Sequence, residues 1–235
     1  MSLVRDALRE AVGLFLPVWC AGCGVAGAEV CPVCRASLLP GSSELIVRRL
    51  SAGPTVVSAL PYADTVARVI RAWKEEGRTP LTAPLAAALR IAIVGMCDRI
   101  GMTTGEVDIV PLPSSRAAFR RRGFAPVDLL VRRAGMRPSR LLTPGAATAD
   151  QRGLSREERL RNVVGSLRAR EAGGYRVVVV DDVVTTGATL AEAARVLTSA
   201  GAEVVGAATV AATPSAQAGQ RIVPVTGGDI GGNAR

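Results

Sequence analysis

VVVVDDVVTTGATL, Val177 to Leu190, is the stretch on which the architecture turns. Four valines lead into Asp181 and Asp182, then a threonine- and glycine-containing turn, then a helical sequence. A continuous run of β-branched residues reads as a strand covered on both faces, as in a parallel sheet flanked by helices. Two architectures end such a strand in carboxylates. One is a nucleoside-triphosphatase strand, whose acid holds Mg²⁺ while a separate G-x-x-x-x-G-K-[ST] loop grips the phosphates. The chain has one lysine, Lys74 in RAWKEEG, and no such glycines precede it. That reading fails on the lysine. A G-x-G-x-x-G dinucleotide fingerprint after a strand is also absent.

The other architecture uses the turn itself. Thr185, Thr186, Gly187, Ala188 and Thr189 join the strand to a helix, and the N–H groups opening a helix bind phosphate with help from the helix dipole. Gly187 lets the backbone come close, and the threonine hydroxyls add donors. Asp181 and Asp182 then stand just behind, within reach of the vicinal hydroxyls of a sugar whose 5′-phosphate fills the turn. Together they describe a ribose 5-phosphate cradle. The plainer alternative is a buried strand followed by a capped helix, with Thr186 as the cap and Asp182 taking turn hydrogen bonds. A cap has no need of two adjacent carboxylates behind four valines.

Working outward, short β-branched runs alternate with helical stretches. Residues 55–60, 107–113 and 202–211 read as strands. Residues 63–77, 81–97, 125–134, 155–162 and 187–201 read as helices. The alternation argues for an α/β domain over residues 55–212. Residues 1–41 read as an amphipathic helix plus a cysteine knuckle, and 42–54 as a linker. The small, polar, glycine-rich residues 213–235 read as a disordered tail.

The 235-residue chain carries a formal charge of +9, and its 29 basic residues are arginine except Lys74. Such a skew also follows from genomic base composition, so position carries more weight than count. Arg116 to Arg170 holds 14 arginines against Asp128, Asp150, Glu157 and Glu158, more than the whole excess. A basic segment of this density suits phosphates or nucleic acid, and equally a solvated face. With no histidine, Ser–His and Cys–His nucleophile pairs, imidazole acid–base chemistry and histidine metal ligands are all excluded. No run of about 18 apolar residues free of charge or proline suggests a membrane span. At the N-terminus, Asp6, Glu10 and Pro17 break an export-signal pattern, so the expected location is cytoplasmic, without membrane insertion.

Cys20, Cys23, Cys31 and Cys34 form C-x2-C-x7-C-x2-C. Two such pairs place four thiolates at tetrahedral reach, and Gly22 and Gly24 allow the tight turn, so a structural zinc ion is expected. A redox dithiol and an iron–sulfur cluster are the alternatives. Cys97 lies in an apolar helix and reads as core.

The stretch 177–190 resembles the phosphoribosyl-diphosphate motif of type I phosphoribosyltransferases. The knuckle, then VPLP (110–113), RRRGF (120–124) and QRGLSREERLRN (151–162), is similar in order to the ComF family, competence-associated proteins with an amidophosphoribosyltransferase-like domain. The match covers about residues 15–211. It implies a parallel-sheet type I phosphoribosyltransferase fold preceded by a small four-cysteine zinc module. It also implies Thr185 to Thr189 on a 5′-phosphate, and Asp181 and Asp182 on ribose hydroxyls directly or through Mg²⁺. Ser114, Ser115 and Arg116 would lie near a diphosphate that Arg120, Arg121, Arg122, Arg152 and Arg159 neutralise, with Lys74 where relatives carry a basic residue. Arginine forks suit such a charge on general grounds.

Two departures narrow this expectation. Ala125-Pro126 stands where the family commonly has Asn-Gln, so no amide pair is present there. Thr185 stands where purine-salvage enzymes of the hypoxanthine–guanine type keep an acid that handles the base, which counts against that class. Two functions follow. One is a phosphoribosyltransferase of unspecified acceptor. The other is a non-catalytic protein that senses phosphoribosyl diphosphate or a nucleotide, or docks single-stranded DNA and DNA-uptake partners such as a helicase-type protein.

Overall fold

The computed structural model describes residues 18–39, 45–145, 163–214 and 220–223. The expected N-terminal helix, the expected helix at 155–162, Arg152 and Arg159 lie outside these residues. Within them, six strands form one sheet: β1 (Leu45–Arg49), β2 (Thr55–Pro61), β3 (Asp108–Pro111), β6 (Arg176–Val184), β7 (Glu203–Ala212) and β8 (Gln220–Val223). A separate antiparallel pair, β4 (Leu142–Pro144) and β5 (Leu167–Ala169), stands beside it. The order in the sheet is β3-β6-β7-β2-β1-β8. Strands β3, β6, β7 and β2 run parallel, and β1 is antiparallel to both β2 and β8.

Val177 to Val180 are fully buried, as a strand covered on both faces requires. Val178 and Val180 face one apolar cluster and Val177 and Val179 the other, following the two-residue period of a strand. The first cluster lies under α2 (Asp64–Glu75), α3 (Thr82–Arg99) and α5 (Pro126–Arg133). The helical stretch Thr79–Arg99, which contains α3, is long and apolar enough to cross a membrane, but Leu85, Leu89, Ile93 and Met96 are buried in this core. The second cluster lies under α6 (Ala188–Ser199) and the β4–β5 pair. Trp73 is the large aromatic anchor of an otherwise aliphatic core. It is fully buried, and its Nε1–H donates to Thr82 Oγ1 at 3.0 Å.

Three stretches differ from the sequence expectation. Residues 45–49, inside the expected linker, form β1, with Leu45 to Arg48 buried. Residues 220–223, inside the expected disordered tail, form β8 and pair with β1 through Ile46 and Ile222. Arg116–Arg122 forms a further short helix, α4, capped by Ser115 Oγ accepting from Ala118 N and ended by Gly123 at φ 76°. A run of arginines hid that helix from periodicity.

The knuckle is joined to the main core. Its short helix α1 (Pro32–Ala36) starts at Cys31. Cys20, Val30, Cys34 and Leu38 belong to the same apolar cluster as Val66, Val69 and Ile70 of α2. From α2, Arg68 Nε donates to Gly22 O. Arg78, just past the end of that helix, pairs with Glu29 and donates to Trp19 O at 2.6 Å. The helix that carries Lys74 in its last turn is therefore braced by the knuckle.

Candidate functional site

The site lies at the carboxyl end of the parallel strands, where open α/β sheets place ligands. Strand β6 runs through both aspartates to Val184. Asp182 is 2% exposed and Asp181 is half-buried. Asp181 Oδ1 accepts from Asp182 N at 2.8 Å. Burial and the adjacent Asp182 carboxylate push the Asp181 pKa well above the ordinary aspartate range.

Lys74 supplies the counter-charge. Its Nζ lies 2.6 Å from Asp182 Oδ2 but off the line of a good hydrogen bond, so that buried oxygen is left without an aligned donor. Burial acts to lower the Lys74 pKa, the two carboxylates outweigh it, and the net shift is upward. Arg122 Nε donates to Lys74 O at 2.8 Å, and the Phe124 ring lies 6.5 Å from that of Trp73. These contacts dock the RRRGF segment against the end of α2. The two carboxylates, Asp182 Oδ2 among their oxygens, are of the type a hard divalent cation accepts.

The turn from Thr185 to Thr189 opens α6. Thr185, Thr186 and Thr189 are exposed, as a ligand-facing turn needs. Thr186 Oγ1 accepts from Ala188 N at 3.3 Å. Gly187 is the N-cap, at φ 81° and ψ 3°. It is buried over Leu50, whose side chain a Cβ at that position would strike. Both the left-handed conformation and the close approach require glycine. The first N–H groups of a helix have no partner within it, so the turn presents donors outward.

Sequence reasoning missed Arg48. It lies on β1, is 8% exposed, and donates from Nη1 to Thr185 O at 2.7 Å and from Nη2 to Thr213 O. The bonded carbonyls are 137 and 165 residues away in sequence, so no local pattern announces them.

Among the expected diphosphate residues, Arg122 and Lys74 meet at the Lys74 carbonyl, while Ser114, Ser115, Arg120 and Arg121 have other surroundings. Ser115 is spent on capping α4, and Arg122 on the end of α2. Ser114 and Arg120 line an open cavity of about 520 Å³ with Pro113, Phe119, Ala125 and the Asp128–Arg140 ion pair. Arg121 is exposed. Behind the turn, Glu192 of α6 holds Gly165 N at 2.7 Å and pairs with Arg195, whose hydrogen bonds keep the Glu192 carboxyl below the usual range.

At the knuckle, the four sulfurs lie within 4.8 Å of one another, with Cys23 Sγ and Cys31 Sγ 3.7 Å apart. A tetrahedral ion with bonds of about 2.3 Å to sulfur sets an edge of about 3.8 Å. Cys31 N and Gly22 N donate to Cys20 Sγ at 3.3 and 3.4 Å. A Cβ on Gly22 would sit 2.6 Å from Cys34 Sγ. Burial and the neighbouring sulfurs push the Cys34 thiol up to about 12, so the cluster needs a cation before all four can ionise. The cluster can hold a metal ion.

The phosphoribosyl transferase domain family matches residues 121–230. DNA utilization protein YhgH of Escherichia coli (strain K12) is 31% identical over 156 residues, covering 64% of this chain and 68% of that protein. The protein of that name from Salmonella typhi is 31% identical over 187 residues, covering 75% and 81%. The one from Salmonella typhimurium is 29% identical over 210 residues, covering 87% and 86%. With its mainly parallel sheet, its aspartate pair before the Gly187 turn and its four-cysteine knuckle, the chain belongs to the ComF family of phosphoribosyltransferase-domain proteins.

Proposed function

We propose that the protein binds phosphoribosyl diphosphate or a related ribose 5-phosphate ligand, with Mg²⁺, in a process of DNA uptake or use. The observation that carries this reading is the juxtaposition of Asp181 and Asp182, ending β6, with the Gly187 turn that opens α6. Thr185 to Thr189 hold the 5′-phosphate, and the aspartates take the ribose hydroxyls or the hydrated cation. When the ligand arrives, Lys74 exchanges Asp182 for the diphosphate, and Mg²⁺ held by Asp181 and Asp182 would supply further charge neutralisation. A transfer reaction would pass through an oxocarbenium-like state, for which this chain supplies positioning and charge rather than an acid–base group. The metal of the knuckle is zinc, in a closed four-thiolate site with a structural role. The link to DNA rests on the relatives' name, DNA utilization protein.

A second reading has its own support. Phe119 is 49% exposed beside Arg120 and Arg121, an arrangement that lets a base stack while its phosphates are neutralised. On this reading the protein docks single-stranded DNA or an uptake partner without transferring ribose.

Calorimetry with phosphoribosyl diphosphate and Mg²⁺, compared with Asp181→Asn/Asp182→Asn, tests the first reading. Binding that the double variant loses is expected, and no binding by the unaltered protein refutes the reading. Diphosphate release over a panel of acceptor bases separates a transferase from a sensor. Binding of a short single strand that tightens as salt falls, and is lost in Arg120→Ala/Arg121→Ala, is the mark of the second reading.

A further inference from the structure

Arg48 carries a buried charge that the rest of the described protein does not neutralise. It shares a face of β1 with Ile46, and Ile46 and the following Leu50 pack in the cluster beneath α6. Its guanidinium meets two carbonyls, Thr185 O and Thr213 O, while its Nε is buried without a partner. Among the described residues no carboxylate forms an ion pair with it. Carbonyl oxygens satisfy hydrogen bonds but do not cancel a full positive charge, and an uncompensated buried ion is costly. Leu50, directly after the strand, fills the space under Gly187. Strand β1 and the residue that follows it thus shape the turn from below and place a cation behind it.

We infer that Arg48 is a positioning residue whose charge, held behind the Thr185–Thr189 turn, sets the preference of that turn for a dianionic phosphate monoester. The inference rests on the phosphate-binding reading of the turn. Arg48 does not touch the ligand. It fixes the Thr185 carbonyl, so that the following N–H groups face outward, and adds its field to the dipole of α6. The ligand phosphate completes the charge balance that the fold leaves open. Because the field acts on charge, Arg48 favours the dianion of a phosphate monoester over its monoanion.

The test is calorimetric titration with ribose 5-phosphate, whose second ionisation falls near pH 6. In the unaltered protein, affinity rises between pH 5.5 and 7.5 as the dianion forms. In Arg48→Met, affinity at pH 7.5 falls about tenfold or more and the rise with pH flattens. In Arg48→Lys, which keeps the charge and loses the fork, affinity stays within about threefold and the rise with pH is kept. Thermal melting shows whether Arg48→Met is folded, and if it is not, Arg48→Lys carries the test. An Arg48→Met protein that binds as tightly as the parent, or an Arg48→Lys protein that loses affinity and pH response together, overturns the inference alone. Failure of the unaltered protein to bind ribose 5-phosphate at any of these pH values overturns the phosphate-binding reading itself.

Discussion

Lys74 Nζ lies 2.6 Å from Asp182 Oδ2, joining the end of α2 to the end of strand β6. It is the one lysine in the chain, and it stands against the buried member of the aspartate pair. Helix α2 reaches this place because its apolar face, including Val66, Val69, Ile70 and Trp73, is buried in the core. The charge therefore arrives on a rigid element.

Lys74→Met is expected to destabilise the protein by about 2 kcal/mol or more at pH 7, because Asp182 is then left buried and unpaired beside Asp181. Adding Asp182→Asn recovers most of that loss. The folded pKa of Lys74 is raised, so the stability it contributes is complete below the ordinary lysine value of 10.5 and is lost as pH rises through the folded value. Urea unfolding of the two single variants and the double at pH 7 and at about pH 12, above the ordinary lysine value, measures both effects. Additive losses in the double variant would show that the pair contributes nothing.

Asp181 disfavours the folded state at neutral pH, because its folded pKa is raised by burial and by its neighbour. Its protonated form is favoured by folding. The contribution is therefore fully present below the unfolded aspartate value, about 3.9, and is lost as pH rises through the higher folded value. Asp181→Asn removes that loss. The variant is expected to melt with the parent at acid pH and about 2 °C or more above it at pH 8, while losing affinity for phosphoribosyl diphosphate with Mg²⁺. Calorimetric melting across that range is the measurement. A variant less stable than its parent at pH 8 would mean that Asp181 is a structural residue.

What the sequence disclosed, and what it withheld, follows from the range of the interactions. Val177 to Val180 announced a strand buried on both faces because burial alone dictates an unbroken β-branched run. The Gly187 turn was legible because a left-handed N-cap over Leu50 leaves no other residue acceptable. The four cysteines were legible because ligand spacing is local. Strand β1 was hidden because LIVRR places two arginines in five residues, and Arg48 is explained only by carbonyls brought to it from β6 and β7. Arg120, Arg121 and Arg122 were read as one group, yet the structure gives them separate surroundings: a cavity wall, an exposed surface and the end of α2. Similar residues in a row face different ways on a helix, and composition cannot sort them.

The knuckle is expected to act on the ligand site through α2. Arg68 fastens that helix to Gly22, between two of the cysteines, and Arg78 fastens the residues after it to Glu29 and Trp19. Purified protein is expected to carry about one zinc ion per chain. Chelation, or Cys23→Ser, is expected to lower the melting temperature by about 5 °C or more. The same treatment weakens ribose 5-phosphate binding, because Lys74 and Asp182 lose their fixed spacing when α2 is released. Arg68→Ala separates the brace from the metal. It keeps its zinc, since no thiolate is altered, and still binds ribose 5-phosphate about threefold more weakly. Metal analysis, melting and calorimetry on the three proteins decide the matter. If metal-free protein melts and binds like the parent, the knuckle neither needs a metal nor supports the site. If zinc loss lowers the melting temperature while Arg68→Ala binds normally, the metal holds the knuckle together but the brace on α2 does not reach the ligand.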